Sequence, residues 1–476
     1  MNSSILLQFS TASLLSDPVY YILCGVLAMA VLLGIHFMSK VETARQGNLI
    51  SAVAVALGIV ITLIKKDILP VWLIYPGMAI GLIFGLILAK KVKMIQMPQL
   101  VALLNGIGGA ASAIVASFAL VSLYQSPDVF GKVTASLAIV IGTITLFGSL
   151  IAAGKLHKVI SQKPVVLPLH QVITTILLVV LLFSIVSGGF LNNFSFPVLL
   201  SVMLIFAAAF GVVFSVRVGG ADMPITISLL NSLSGLAAAI AGFAVTDILL
   251  VAVGGIVGAS GLFLTQIMCK AMNRNLADIL LGKTSVQGKG ESKTEKAPEV
   301  AATEEVAATV NPAEVVKGVK KVIIVPGYGM ALAHAQHLVK SLAQKLTADG
   351  ATVKYAIHPV AGRMPGHMDV LLIEAGVPFE DVYEMDDINE EFKDADVAIV
   401  VGANDVLNPA ARNAEGTPIY GMPILNVDQC SKIIIFNYDL KPGYSGVDNP
   451  IYNRKEGVWV IQGDAKDTVA QFLSEL

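Results

Sequence analysis

The sequence predicts two bodies in different solvents: a multispan α-helical membrane domain of about nine spans, followed by an α/β domain on a doubly wound parallel sheet. Three observations predict this. Of the 476 residues, 55% are hydrophobic and 14% charged, with a mean hydropathy of +0.75, more apolar sequence than a soluble chain of this length buries. Charge is unevenly divided: residues 1–270 hold 13 Lys/Arg against 6 Asp/Glu, whereas residues 271–476 hold 19 against 28. Near residue 320 the apolar pattern changes from long unbroken runs to short β-branched runs alternating with helical stretches.

The spans come first. Nine segments, each of roughly 17 to 25 apolar residues, are long enough to cross a hydrocarbon core. They lie at about 18–39, 48–64, 70–89, 100–124, 132–153, 166–188, 197–215, 223–243 and 247–269. With the C-terminus inside, the inside loops hold eleven Lys/Arg and the outside loops only Lys65, Lys66 and Lys132. That bias places the C-terminal part in the cytosol. The first residues lack a basic stretch before their apolar run, so no cleaved signal is expected. Cys24, Cys269 and Cys430 show neither metal-ligand spacing nor an even disulfide framework, which fits a reducing compartment.

Residues 276–318 are rich in Lys, Glu, Ala, Thr and Pro and read as a flexible linker between a membrane domain at 1–275 and a folded domain at 319–476. In the latter, strands are expected in "KKVIIVPG", "ATVKYAIHP", "VYEM", "ADVAIVVGA", "MPILNV", "KIIIFNYD" and "GVWVIQGDA". Helices are expected at about Met330–Ala348, near Val370–Ala375, and in the closing "KDTVAQFLSEL". Apolar strands separated by helices give a parallel sheet buried on both faces.

The stretch "VPGYGMALA" turns from a strand through glycines into a helix. Gly327 would make the tight turn, Gly329 would let backbone approach a ligand, and Ala333 would let helix pack on strand, as in a Rossmann-like dinucleotide site. About 20 residues on, such a site commonly has an acid for the ribose hydroxyl. Here "KYAIHPVAGRMPGHMD" offers Lys354, His358, Arg363 and His367 first, which leaves room for a 2′-phosphate, a differently oriented ligand, or a plain solvated loop. "VVGANDVLNPAA" places Asn404 and Asp405 past the carboxyl end of a strand, where ligands bind in open sheets; a turn or cap is the alternative reading. There is no glycine loop ending in Gly-Lys-Ser/Thr for ATP, and the acidic soluble half gives nucleic-acid binding no support.

Polar groups inside spans are expensive and therefore informative. Asn105 in the fourth span and Asn231 in the eighth are candidates for a hydrated polar path or, alternatively, for interhelical packing bonds. Asp222 opens the eighth span, as a cap or as a coupling residue between the two bodies. His36 and His170 could exchange protons or simply sit at the interface.

Long stretches in both bodies, in order, carry a resemblance. They are "ETARQGN" (42–48), "MPQLVALLNG" (97–106), "GGADMP" (219–224), "LLNSLSG" (229–235), "IMCKAMNR" (267–274), "VPGYGMALAHAQ" (325–336), "HPVAGRMPGHMDVLL" (358–372), "GANDVLNPAA" (402–411), "GYSGVDNP" (443–450) and "GDAKDTV" (463–469). Together they resemble the β subunits of proton-translocating nicotinamide nucleotide transhydrogenases.

The resemblance implies an NADP(H)-binding domain after the linker, spans that conduct protons, and a partner α subunit that brings NAD(H). It implies hydride transfer from NADH to NADP⁺ (Re/Si-specific) coupled to inward proton movement across the bacterial cytoplasmic (inner) membrane, in a homodimer of αβ units. Hydride transfer needs no acid-base residue. By the resemblance, Gly327, Tyr328, Gly329 and Ala333 form the fingerprint; Gly362, Arg363, Met364 and Pro365 lie in a loop covering the nucleotide; Gly402, Ala403, Asn404 and Asp405 face the nicotinamide. Tyr444 lies in a lid, and Gly463, Asp464, Ala465 and Lys466 lie near the adenosine. Two positions depart from the family's commoner pattern. Asn437 and Tyr438 stand where many members carry a Lys-Arg pair for the 2′-phosphate, which turns attention to Lys441, Lys466 and Arg363. Asn105 stands where many carry a histidine, which leaves proton exchange to His36, a partner histidine, or water held by Asn105 and Asn231. The competing functional reading is a channel or transporter gated by a nucleotide-sensing α/β domain.

Overall fold

The computed structural model describes residues 15–39, 41–66, 71–92, 96–161, 164–190, 195–219, 222–271, 276, 311–362, 366–415, 417, 419–443, 445–454 and 456–476. The chain divides into two compact units. One comprises residues 1–151, 172–213 and 229–262; the other comprises 152–171, 214–228 and 263–476.

Among the described residues nine helices are long and apolar enough to span a membrane. They are α1 (Asp17–Met38), α2 (Val41–Lys65), α3 (Ile74–Lys91), α4 (Met97–Leu123), α5 (Val129–Leu156), α6 (His170–Phe190), α7 (Phe196–Arg217), α8 (Met223–Ala244) and α9 (Ile248–Ala271). Each coincides with a predicted span, with shifted ends. The sixth begins at His170 rather than 166 because Pro168 and a left-handed Leu169 (φ 56°) precede it. Small residues set the crossings. A side chain at Gly109 of α4 would lie 2.7 Å from the Gly142 carbonyl of α5, so the two backbones touch there. Around this seam Ala116, Leu120, Ala135, Ile139, Leu181 and Met203 form a buried apolar cluster.

Lys155 and Arg217, counted by sequence among the inside-loop cations, are buried at the ends of α5 and α7. The Lys155 ammonium donates to the Val218 carbonyl (2.8 Å) and to that of Val216, closing the negative end of α7.

The α/β body is a six-stranded parallel sheet: β1 (Lys321–Pro326), β2 (Thr352–Ile357), β3 (Val382–Glu384), β4 (Val397–Val401), β5 (Ile433–Asn437) and β6 (Val458–Gln462), in the order β3-β2-β1-β4-β5-β6. Strands β4 and β5 are buried along their whole length, as apolar runs covered on both faces must be. Its helices are α10 (Pro312–Val315), α11 (Tyr328–Leu332), α12 (Gln336–Ala348), α13 (His367–Glu374), α14 (Met385–Ile388), α15 (Ala410–Asn413) and α16 (Ala465–Glu475). Of the predicted linker, the structure describes 276 and 311–318. Asn311 caps α10 by accepting from the Ala313 N–H (3.0 Å), and Ala313, Val315 and Val316 are buried.

Two expectations change. The helix expected over 330–348 is broken into α11 and α12, with His334 left-handed (φ 53°) between them. "MPILNV" is not a strand, because side chains and an isolated loop contact take its backbone groups. His358 Nε2 meets the Pro423 carbonyl (2.8 Å), Asn389 donates to Ile424 O (3.0 Å) and accepts from Asn426 N (2.9 Å), and Leu425 N bonds Val406 O (2.9 Å).

Candidate functional site

The strand order reverses between β1 and β4, and ligands of open parallel sheets bind at that point, outside the carboxyl ends of the strands. The loops leaving β1 and β4 are pressed together there. Gly327 N–H donates to Val401 O (2.8 Å) and Gly329 N–H to Gly402 O (2.8 Å). A side chain at Gly329 would lie 2.6 Å from the Gly402 Cα, and Gly402 itself is left-handed (φ 69°). The glycines thus serve the approach of one loop to the other, making a continuous floor across the crevice. Tyr328 opens α11 beside His367, with ring centroids 6.4 Å apart. Ala333 ends α11 half-buried; the close helix packing expected of it falls to Ala331 and Ala335, which are buried.

After β2, His358 is 1% exposed. Its Nδ1 accepts from Val360 N–H (3.2 Å), so Nε2 carries the proton and donates to Pro423 O. Burial holds its pKa down to about 4, so the ring is neutral. It fixes the start of the loop that contains Gly362, left-handed at φ 105° and set against His367. Arg363, Met364 and Pro365 of that loop, and Tyr444, lie outside the described residues.

The loop after β4 is fastened to the segment after β5. Asn404 donates to Lys441 O (3.0 Å) and accepts from Asn449 Nδ2 (3.1 Å). Asn408 donates to Asp448 O (3.2 Å). Asp405 accepts from the Ser445 N–H (3.0 Å) and hydroxyl (2.7 Å). Ala403 is buried beneath. Sequence reasoning does not single out Asn449 and Ser445 and reads Asn408 only as part of a turn or cap, although the side-chain amides in "NDVLNP" and "VDNP" signal such lacing. Ser445→Ala removes one bond of this clasp, worth about 1 kcal/mol. Dissociation of a ligand held in this crevice, followed by stopped-flow fluorescence, should quicken roughly five-fold.

At the far edge Gly463 (φ 147°) donates to Asn437 O (3.0 Å), and Asp464 caps α16 by accepting from Lys466 N–H (2.9 Å), with Ala465 buried and Lys466 exposed. Asn437 is buried and committed: its amide donates to Ala403 O (3.0 Å) and to the Tyr452 hydroxyl (2.7 Å). Burial pushes the Tyr452 phenol up to about 12. Tyr438 beside it is 79% exposed, and Lys441 is exposed.

The family model for the NAD(P) transhydrogenase beta subunit matches residues 20–475. The chain belongs to the NAD(P) transhydrogenase β-subunit family. Two Rhodospirillum rubrum sequences named NAD(P) transhydrogenase subunit beta are each 40% identical to it over 471 residues, covering 96% of this chain and 98% of the relative. The family's activity, hydride transfer between nicotinamide nucleotides coupled to proton translocation, is the activity in which this chain serves as one subunit.

In the helical body of this transhydrogenase subunit, Asn105 is buried in α4, and Asn231 lies half-buried against Gly261 of α9, whose side-chain position falls 3.2 Å from its amide. Asp222 and His170 are buried; Leu167 N–H donates to His170 Nδ1 (3.4 Å). His36 is exposed on α1, with Ser39 donating to its carbonyl (2.7 Å).

Proposed function

We propose that the sheet domain binds NADP(H), that the α subunit brings NAD(H), and that protons cross the spans of a bacterial inner membrane with the nucleotide domain in the cytosol. The assembly is a homodimer of αβ units. One observation carries the reading: among the described residues the chain joins a dinucleotide-type switch-point crevice to nine helices long and apolar enough to span a membrane. Hydride transfer needs two nicotinamides in near contact, so the second must come from another chain.

The crevice suits such a cofactor, because the loops of β1 and β4 meet through three glycines whose missing side chains leave a flat floor. Bound NADP(H) supplies the hydride chemistry. The chain's residues bind and orient it: Gly327, Tyr328, Gly329 and Gly402 form the floor, Asn404 and Asp405 hold the segment that closes over it, and Gly362 opens the covering loop. Asp222, Asn231 and Asn105 are the coupling candidates. Coupling is reciprocal, so protonation in the bundle must change nucleotide affinity as nucleotide changes proton affinity.

With Asn437 spent on Ala403 and Tyr452, the 2′-phosphate falls to Lys441, Lys466 or Arg363. The test is calorimetry of NADPH and NADH on the solubilised αβ complex. Lys441→Gln or Lys466→Gln should weaken NADPH about ten-fold, the worth of one charge-assisted bond, and leave NADH unchanged. Wild-type binding of NADPH at no site beyond those that NADH fills would overturn the NADP(H) assignment.

A further inference from the structure

Residues 1–270 contain six acidic residues, and among the described ones two are buried: Asp222, 7% exposed, and Asp247, 8% exposed. They stand at opposite ends of α8, the helix that carries Asn231. Asp247 immediately precedes α9. Its Oδ1 accepts from Leu250 N–H (2.9 Å), which leaves Oδ2 outside the cap.

The same end of the bundle gathers further polar groups. Leu249 of α9 packs with Leu27 and Val31 of α1 and Ala54 of α2, so these three helices share one seam. At its top, near the start of α1 and the end of α2, lies Tyr20, 4% exposed, its hydroxyl buried. That hydroxyl faces the Cys24 thiol and the Thr62 hydroxyl, and Asp247 stands two residues before Leu249 of the same seam. The Lys65 ammonium sits 5.9 Å from the Tyr20 ring centroid and pairs with Asp17, whose side chain is largely exposed. The charged and titratable groups facing the site are therefore Asp17, Tyr20 and Cys24 from α1, Lys65 from α2, and Asp247. A carboxylate and a phenol shut into an apolar bundle are expensive unless they do something.

We infer that Asp247, at the end of the seam that also holds Tyr20, is the proton-exchange site of the bundle at the end remote from Asp222. The inference rests on the proton-translocating reading. A proton from the aqueous phase binds Asp247 Oδ2, giving the neutral acid; the same proton leaves Oδ2 toward the Tyr20 hydroxyl and bundle water, restoring the carboxylate. The two buried carboxylates then serve opposite ends of α8.

The experiment uses the full αβ complex in proteoliposomes. Proton translocation is followed by quenching of an acridine dye during NADPH oxidation by NAD⁺, and NADPH binding is measured on the same preparations. Asp247→Asn keeps the cap, since Asn and Asp are equivalent there, but cannot titrate. It should lose most of the quench while still binding NADPH, and Asp247→Glu should restore the quench. Full quenching by Asp247→Asn overturns the proposal. Should that variant fail to bind NADPH, Tyr20→Phe decides in its place, because it keeps the ring packing: a lowered quench supports the site and a full quench overturns it. A wild-type complex that oxidises NADPH without quenching would instead overturn the translocating reading itself.

Discussion

Gly402→Ala is expected to weaken NADP(H) binding severely while leaving the helical body assembled. Two effects add. Gly402 is left-handed at φ 69°, and an L side chain held there costs on the order of 1 kcal/mol. The added carbon would also run into backbone, the Gly329 Cα and the Met330 nitrogen, rather than a side-chain tip that could swing away. Relief requires the β1 and β4 loops to part, breaking the Gly329 N–H to Gly402 O bond and splitting the floor of the crevice. Roughly 2 to 4 kcal/mol of misfit at the site corresponds to a loss of about 30-fold or more in affinity, readable by calorimetry with NADPH. Unchanged affinity would show that the nucleotide does not rest on these loops.

The second large effect is an acid sensitivity set by His358. Its folded pKa is about 4 against an ordinary 6.5, so between these values the unfolded chain binds the extra proton. The neutral ring's contribution is full above pH 6.5 and is lost as pH falls toward 4. At about 1.4 kcal/mol per unit the loss totals on the order of 3 kcal/mol. Protonation also removes the Nδ1 acceptor from Val360 N–H, so the loop leading to Gly362 loosens in the same window. In the full complex, thermal unfolding of the nucleotide domain should shift down between pH 7 and pH 5. His358→Gln should flatten that dependence while lowering stability at pH 7, because the geometry of two bonds is disturbed. A wild-type profile flat over this range would contradict the neutral, buried ring.

Other ionisations in the sheet domain are shifted for local reasons. Burial raises Glu384, with Asp369, Asp387 and Asp386 adding to it, and burial also raises Asp369. Two backbone N–H groups, those of Lys321 and Lys320, hold Asp396 down at the amino ends of the central strands β1 and β4.

Much of this architecture is written in local pattern. Spans and strands follow from the length and period of apolar runs, and the glycine turn announced itself at "VPGYGMALA" because a strand, a turn and a helix are each set within a few residues. The ends of elements were less legible, as at His170, where a proline and one left-handed residue decide the start. The expected strand "MPILNV" failed because its hydrogen-bond partners are the side chains of His358 and Asn389 and the distant backbone of Val406, contacts that no periodicity records.

The sequence by itself determined the two solvents, the sheet, and the family. Each depends on composition, period, or motifs tens of residues in extent. Tertiary structure alone decided what individual polar residues do. Asn437, which reads as a vacancy in a phosphate site, is spent holding Ala403 and Tyr452; Lys155, which reads as a loop cation, closes the end of α7; Asp247, which carries no signal in the sequence, is buried at the end of the seam that holds Tyr20. These roles join residues from 15 to more than 200 positions apart, and a side chain's desolvation and partners are set by what folds against it rather than by its neighbours in the chain.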